Sequence, residues 1–440
     1  MHHAVSCGQS LSASAASVLL MTKTTASAPV LGTRALNRAT LDRQLLLRRS
    51  GMSAKAAVGH LLGLQAQNVK PPYFALAARL DGFAPEELSA LMAQREVVRI
   101  VTMRSTIHTH TAEDCLTLRP LVQPARDREL THFRKGLDGV DLDRLAALAR
   151  DLVESRPRTM KELREALLVE WPDADPQALA VAARCKLPLV QVTPRGLWGR
   201  SGQVALTTAE HWLGRPADTA RQAEHRLTEA APPGEHRLTE AVPPAELRPT
   251  RPADTAPPAE HRPTDAPLAR PTPAPDATVL RYLAAFGPAS VKDMQTWAGL
   301  TRLREAFERL RPELRVFRDE HGVELFDLPD APRPAEDTPA PPHFLPEFDN
   351  LLLSHADRTR VVPKEYWGRS WQGNQAYCTL LVDGFLAGVW KLDGDTLVVE
   401  PFGRLTRAQR QEVETEGQRM LATLYPGTSY DIRFGTVVQK

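Results

Sequence analysis

Between Leu213 and Arg281 the chain carries no aromatic residue, and positions 216–275 hold 14 of its 37 prolines. A stretch of this kind buries too little apolar surface to offset the entropy of ordering it, so it forms no core. It therefore divides the 440 residues into parts that must each find a core of their own. The stretch also repeats itself: residues 224–230 recur as 235–241, and 215–220 as 251–256. Duplication inside a tolerated insertion explains this better than a solenoid, and its histidines, His225, His236 and His261, do not read as metal ligands.

Outside the insertion the hydrophobic period predicts short helices followed by β-hairpins, three times over. A Thr40 cap predicts a helix through Leu41 and Leu45. Ser53 caps a second through Ala57 and Leu64, Pro71-Pro72 and Pro85 open two more, and strands follow at 97–103 and 106–111. The grammar recurs with helices at 142–153, 160–170 behind Thr159, and 177–185 behind Pro176, then a strand at 189–192. A third set has helices at 279–286, 291–298 behind Ser290 and 302–310 behind Thr301, with strands at 314–317 and 323–326. Three helices and a wing spell a winged helix, with 301–310 as the recognition helix of the third unit. The remainder alternates strands (344–353, 361–362, 376–382, 385–392, 396–401) with turns at Asp383-Gly384 and Asp393-Gly394, then a helix over 406–424.

The expected fold class is therefore α+β, with three tandem winged-helix units and a C-terminal small β-barrel or sheet with a helix. The expected organisation is a disordered extension (1–28), unit one (29–118), unit two (119–213), the insertion (214–277), unit three (278–330), a Pro-rich linker (331–343) and a β-rich region (344–440). Four scattered cysteines argue against a disulfide framework or structural zinc, and no apolar run reaches a membrane span. These features read as a cytoplasmic monomer with no cofactor. A net charge of +2 means that any surface for a polyanion is local.

No P-loop, Gly-rich nucleotide fingerprint or Gly-x-Ser-x-Gly motif is present, which removes most common enzyme classes. The unusual feature is Gln65, Gln67 and Asn68, three amides between an apolar helix and a Pro-Pro break. Residues two apart do not share a helix face, so Gln65 and Gln67 converge only where the helix has ended. The same amides can equally cap free carbonyls at a helix terminus, and spacing alone leaves both readings open. Arg104, Ser105, Thr106 and His108 fall at the first wing, either reaching phosphate or forming a solvated hairpin tip. His355, Asp357, Arg358 and Arg360 read as an exposed basic hairpin turn. Arg48, Arg49, Arg302, Arg304 and Arg309 are further helix-borne cations, and Trp198, Trp297 and Trp390 read as core. Asp349 and Asn350 read as structural hydrogen-bonding groups, and Glu400 has no role that the sequence derives.

The run 62–67 followed by Pro71, Pro72 and Tyr73 resembles the signature of the AlkZ-type winged-helix DNA glycosylases. The resemblance extends to residues 34–38, 103–108, 346–360, 389–390 and 399–402, nearly the whole chain from about residue 30 apart from the insertion. It implies that the three winged-helix units surround a concave DNA-binding channel and that Gln65 and Gln67 are catalytic, with Ala66 as the small residue between them. It also implies DNA contacts by Asn68, Arg104, Ser105, Thr106, His108, His355, Asp357, Arg358 and Arg360. A sister branch carries Asp at the second polar position, where this chain has Gln67.

Two neutral amides suit a leaving group that is already charged. An N7-alkylated purine departs without a general acid, so the site need only position water and stabilise the sugar cation. The expected function is a monofunctional glycosylase, with no lyase activity, acting on duplex DNA that contains N7-alkylated purines, crosslinked ones included. It would serve in repair or in self-resistance to a genotoxin. The alternative is a non-catalytic winged-helix DNA-binding protein or transcription regulator.

Overall fold

A computed structural model describes residues 28–214 and 275–438. The expectations for the N-terminal extension and for most of the Pro-rich insertion, with its repeats and histidines, lie outside the described residues. The described chain is mixed α and β, with small sheets and many helices.

The first two helical sets share one six-stranded sheet. Its order is Leu64–Gln65, Ile107–Thr111, Val97–Val101, Leu189–Gln191, Ala205–Thr208 and Arg158–Thr159. The junction is antiparallel, Arg99 facing Gln191 and Ile100 facing Val190, so the two hairpins are continuous with each other. Val98, Ile100, Cys115, Val190 and Ala209 pack beneath the seam. Behind Arg158–Thr159, the Met160–Glu170 helix starts where Thr159 predicts it, because Thr159 and Glu162 form a reciprocal capping box. The third set comprises helices Asp276–Phe286, Val291–Ala298 and Arg304–Leu310 and strands Arg315–Asp319 and Glu324–Asp327; Val30–Leu31 adds a parallel strand. Its core holds Tyr282, Phe286, Trp297 and Phe307.

The C-terminal sheet runs His343–Leu345, Cys378–Val382, Phe385–Asp393, Thr396–Pro401, Asp431–Phe434, an open sheet with two edges. Asp383 and Gly384 both take positive φ (51° and 79°), as a two-residue hairpin requires. The Arg407–Leu424 helix covers the sheet, burying Val413, Met420, Leu421 and Leu424 with Phe344, Leu397 and Trp390. The Pro71–Arg79 helix joins the same cluster through Tyr73, Phe74 and Leu76. Each such side chain contributes about 1.5–3 kcal/mol by leaving water.

Four local expectations are corrected. The first helix is Thr33–Arg43, with Thr40 buried inside it, and Leu45 lies outside at φ 58°. The third helix of the third set begins only at Arg304, because Arg302 sits at φ 62°. Residues 344–353 are not one strand: Pro346 offers no N–H to a ladder, Phe348 turns at φ 60°, and Asp349 caps a short helix, Asn350–Leu353. Residues 361 and 362 lie outside any strand.

Two buried ion pairs tie distant segments together. Arg79 Nη1 and Nη2 donate to both carboxylate oxygens of Asp349 (2.9 and 2.7 Å), and the remaining donors reach the Gln44 and Ala75 carbonyls. Arg43 grips Asp327 in the same way (2.6 and 2.9 Å). His343 Nε2 donates to the Leu46 carbonyl (2.6 Å), while its Nδ1 is buried without a partner. Burial holds His343 down to about 4, so it is neutral when folded.

Replacing Asp349 by Ala strands a buried guanidinium and should cost about 3–5 kcal/mol, read as a lower urea midpoint. Acid should destabilise the fold as well. An unfolded histidine has its pKa near 6.5, so as pH falls from there towards 4 the unfolded chain takes up a proton that folded His343 refuses. This contribution is complete above about pH 6.5 and fades below it, by about 2 kcal/mol at pH 5. Urea unfolding at pH 7 and pH 5 should show that loss, smaller in His343→Asn.

Candidate active site

The glutamine motif begins where the Ala54–His60 helix stops. Leu62 and Gly63 follow at φ 55° and 91°, and a Cβ on Gly63 would lie 2.3 Å from the His110 ring, so only glycine fits. Asn350 Nδ2 holds this turn from the far side, donating to the carbonyls of Gly63 (2.6 Å) and Leu61 (3.3 Å). Leu64–Gln65 then pairs antiparallel with the wing strand, Leu64 facing Thr109 and Gln65 facing His108. The Ala66 N–H donates to the Ile107 carbonyl (2.7 Å), and buried Arg99 donates from the other direction to the carbonyls of Ala66 (2.8 Å) and Asn68 (3.4 Å). The motif is thus extended backbone rather than a helix end, and on extended backbone residues two apart can face one side.

Gln65 is nearly buried, at 7% exposure, whereas Gln67 is exposed. Arg104 Nη2 donates to Gln65 Oε1 at 2.8 Å, and its Nη1 donates to the Trp297 carbonyl. Arginine can only donate, so the carbonyl oxygen of Gln65 must face it and the amide NH₂ turns away. The Gln65 carbonyl oxygen is therefore already engaged by a donor. Gln67 keeps its carbonyl nearly free, accepting only a long bond from the Ile107 N–H (3.4 Å).

His108 donates from Nδ1 to the Thr106 carbonyl (3.0 Å) and turns its Nε2 lone pair towards Arg104 (3.4 Å). Burial and the adjacent guanidinium push His108 well below the ordinary histidine range, and burial holds the stacked His110 at about 4; both rings are neutral. Arg104 itself is pushed down to about 10 by burial and by the charge of Arg358, and stays a cation at neutral pH. Arg104 and Ser105 sit at φ 53° and 58°, two strained residues at the hairpin tip. Thr106 Oγ1 closes the tip on the Met103 carbonyl (3.1 Å).

The remaining expected contacts divide. Arg358 is half-buried; its carbonyl accepts from the Val361 and Val362 N–H groups, and its guanidinium has no hydrogen-bond or carboxylate partner among the described residues. Asp357 is exposed and caps the Thr359 N–H (2.9 Å). The expected exposed basic hairpin is corrected for His355 and Arg360: both are buried, His355 bonded to the Phe286 carbonyl (2.9 Å) and Arg360 to that of Pro288 (2.8 Å). No strand pairs across this loop, and the two side chains anchor it to the third helical set. Asn68 turns to Glu347, donating from Nδ2 to Oε1 at 2.8 Å. Arg49 bonds Glu416, Arg304 Glu308 and Arg309 Asp276, so none of these cations is free. Trp297 and Trp390 are core, and Trp198 packs half-buried on Tyr73. Glu400 accepts from the Val437 and Val438 N–H groups (2.6 and 3.0 Å), which ties down the C-terminal strand segment.

Sequence reading missed Arg99, Glu347 and a real hairpin, Trp371–Gln372 paired with Gln375–Ala376, beside exposed Trp367. The turn residues Gly373 and Asn374 are themselves a hairpin signal that could have located it. Arg99 and Glu347 leave no local signal, because their partners lie far away in the chain.

A family model described as DNA glycosylase AlkZ-like matches residues 58–423, which includes the glutamine motif and the wing. An interstrand DNA cross-link repair glycosylase of Streptomyces sahachiroi is 28% identical over 158 residues, 34% of this chain; the match spans 42% of that relative's length. The solved structure of the Streptomyces sahachiroi DNA glycosylase AlkZ superposes with a TM-score of 0.65 at 19% identity, covering 92% of this chain and 100% of the other, a likeness of fold. With its model matched across most of the sequence, the chain belongs to the AlkZ-like DNA glycosylase family.

Proposed function

We propose that this chain is a monofunctional DNA glycosylase that hydrolyses the N-glycosidic bond of N7-alkylated, cationic purines in duplex DNA. The observation that carries the reading is a pair of neutral amides at the end of a short strand, one locked by a guanidinium and the other open. Gln67 offers a carbonyl that accepts a hydrogen bond from the attacking water. Gln65, its oxygen occupied, presents an NH₂ donor to an oxygen of the same nucleotide. Neither amide is a strong base, which suits a purine that leaves neutral because it arrives charged. Neutral His108 adds no second cation beside that purine.

The three helical sets, each ending in a hairpin, support tandem winged-helix units around a duplex-sized channel. Arg104 and Arg358 lie close enough for one charge to act on the other, and no carboxylate is paired with either among the described residues. That pair, with Ser105 and Thr106, supports a phosphate contact, and the 371–376 hairpin with Trp367 supports a second contact with the duplex. Crosslinked purines are included in the proposal because the Streptomyces relative is named for cross-link repair. The proposed setting is the cytoplasm, in repair or in self-resistance to a genotoxin, with the protein acting as a monomer.

Incubating the protein with duplex containing N7-methylguanine, then with alkali, tests the reading: strand breaks are expected at the lesion, and binding without breaks would favour a non-catalytic regulator. Gln67→Ala should lower the single-turnover rate by roughly 10²–10³-fold with little change in duplex affinity. Arg358→Ala should instead weaken binding to damaged and undamaged duplex alike and reduce the salt slope by about 1, measured by fluorescence anisotropy across a salt series.

A further inference from the structure

Glu347 is a half-buried carboxylate that no Lys or Arg approaches as an ion pair among the described residues. Its two oxygens are held by neutral donors, Asn68 Nδ2 on Oε1 (2.8 Å) and the Cys378 thiol on Oε2 (3.2 Å). Burial and the Glu347 charge push that thiol well above its ordinary range, so Cys378 stays protonated and serves as a donor. Pro346 on one side, and Phe348 and ion-paired Asp349 on the other, fix the backbone that carries the carboxylate.

Asn68 follows Gln67 directly, so the carboxylate lies no more than about 10 Å from the Gln67 Cα. An unneutralised anion beside a DNA site repels the polyanion and lowers affinity. Its position next to an open glutamine is explained if it meets a cation. Arg104 and Arg358 lie by Gln65 and suit phosphate, whereas Glu347 lies by Asn68 and suits positive charge. The substrate proposed above supplies such a charge, first on the purine and then on the sugar.

Resting on the glycosylase reading, we propose that Glu347 is a third catalytic group: it faces the deoxyribose of the damaged nucleotide and accepts the proton of the water held by Gln67. In the step, the bond from C1′ to the purine nitrogen breaks and its electron pair stays with the purine, which leaves neutral. The water oxygen bonds C1′, and its proton passes to the Glu347 carboxylate and then to solvent. No oxidant or further reactant is needed.

The test is single-turnover release of N7-methylguanine by the full-length protein, with undamaged-duplex affinity and Tm measured on the same preparations. Glu347→Gln should lower the rate by about 10²–10³-fold while undamaged duplex binds as tightly or more tightly, and Glu347→Asp should recover at least about tenfold of the loss. The proposal is overturned if Glu347→Gln releases base within about threefold of wild type. It is also overturned if rate, affinity and Tm fall together and Asp restores nothing, since that pattern belongs to a structural role. If the wild type binds duplex and releases no base, the glycosylase reading fails and this one with it; an active wild type beside an equally active Gln variant removes only the role of Glu347.

Discussion

A guanidinium and a carboxylate are costly to keep together in a dry interior, and Arg79 with Asp349 offsets that cost by giving every guanidinium nitrogen an acceptor. The pair joins a helix near the N-terminus to a segment 270 residues later. Asp349 also caps the short helix that begins at Asn350, and Asn350 holds the carbonyls of Leu61 and Gly63. From there the constraint passes to Gly63, whose backbone fits only against a bare Cα beside His110, and so to the strand that carries Gln65. The glutamine motif is short and irregular, and its position is inherited from this buried tie. Glu347 stands two residues from Asp349 and takes its place from the same anchor.

The electrostatics of the site follow from burial more than from net charge. A chain at +2 offers no general attraction for DNA, yet Arg104 and Arg358 bring two positive charges together with no ion-paired carboxylate among the described residues. His108 and His110 are kept neutral by the same dry surroundings, so the guanidinium of Arg104 orients the Gln65 amide without a competing imidazolium. A neutral amide pair, with Arg104 on Gln65 and a carboxylate bonded to the residue after Gln67, is a poor match for expelling an ordinary purine. It is a better one for a nucleoside that already carries positive charge.

Much of the architecture was legible because its signals are local. Ser53, Thr159 and Ser290 cap their helices as read from the sequence, since a cap needs only three residues of chain to form. The Asp383-Gly384 turn is equally local. What failed was non-local. The strand through Gln65 exists because residues 107–109 lie alongside it, and nothing near Gln65 announces that. His355 and Arg360 looked like surface charge by composition, but the Phe286 and Pro288 carbonyls give them buried partners about seventy positions upstream. Glu347 was passed over because its meaning depends on Asn68, and Gly373-Asn374 because Trp371 and Gln372 lack a strong alternating pattern. Gln65 and Gln67 could be singled out from the motif, but their orientations could not.

The central claim is that this site releases bases only when the leaving group arrives charged. It is tested most directly by comparing release of free base from matched duplexes that contain N7-methylguanine, hypoxanthine or unmodified guanine, quantified by mass spectrometry under single turnover. The account predicts release of N7-methylguanine and none of the two neutral bases above background. Release of hypoxanthine at a rate comparable to N7-methylguanine would contradict it, because a neutral purine leaves only with the acid assistance that two amides do not provide.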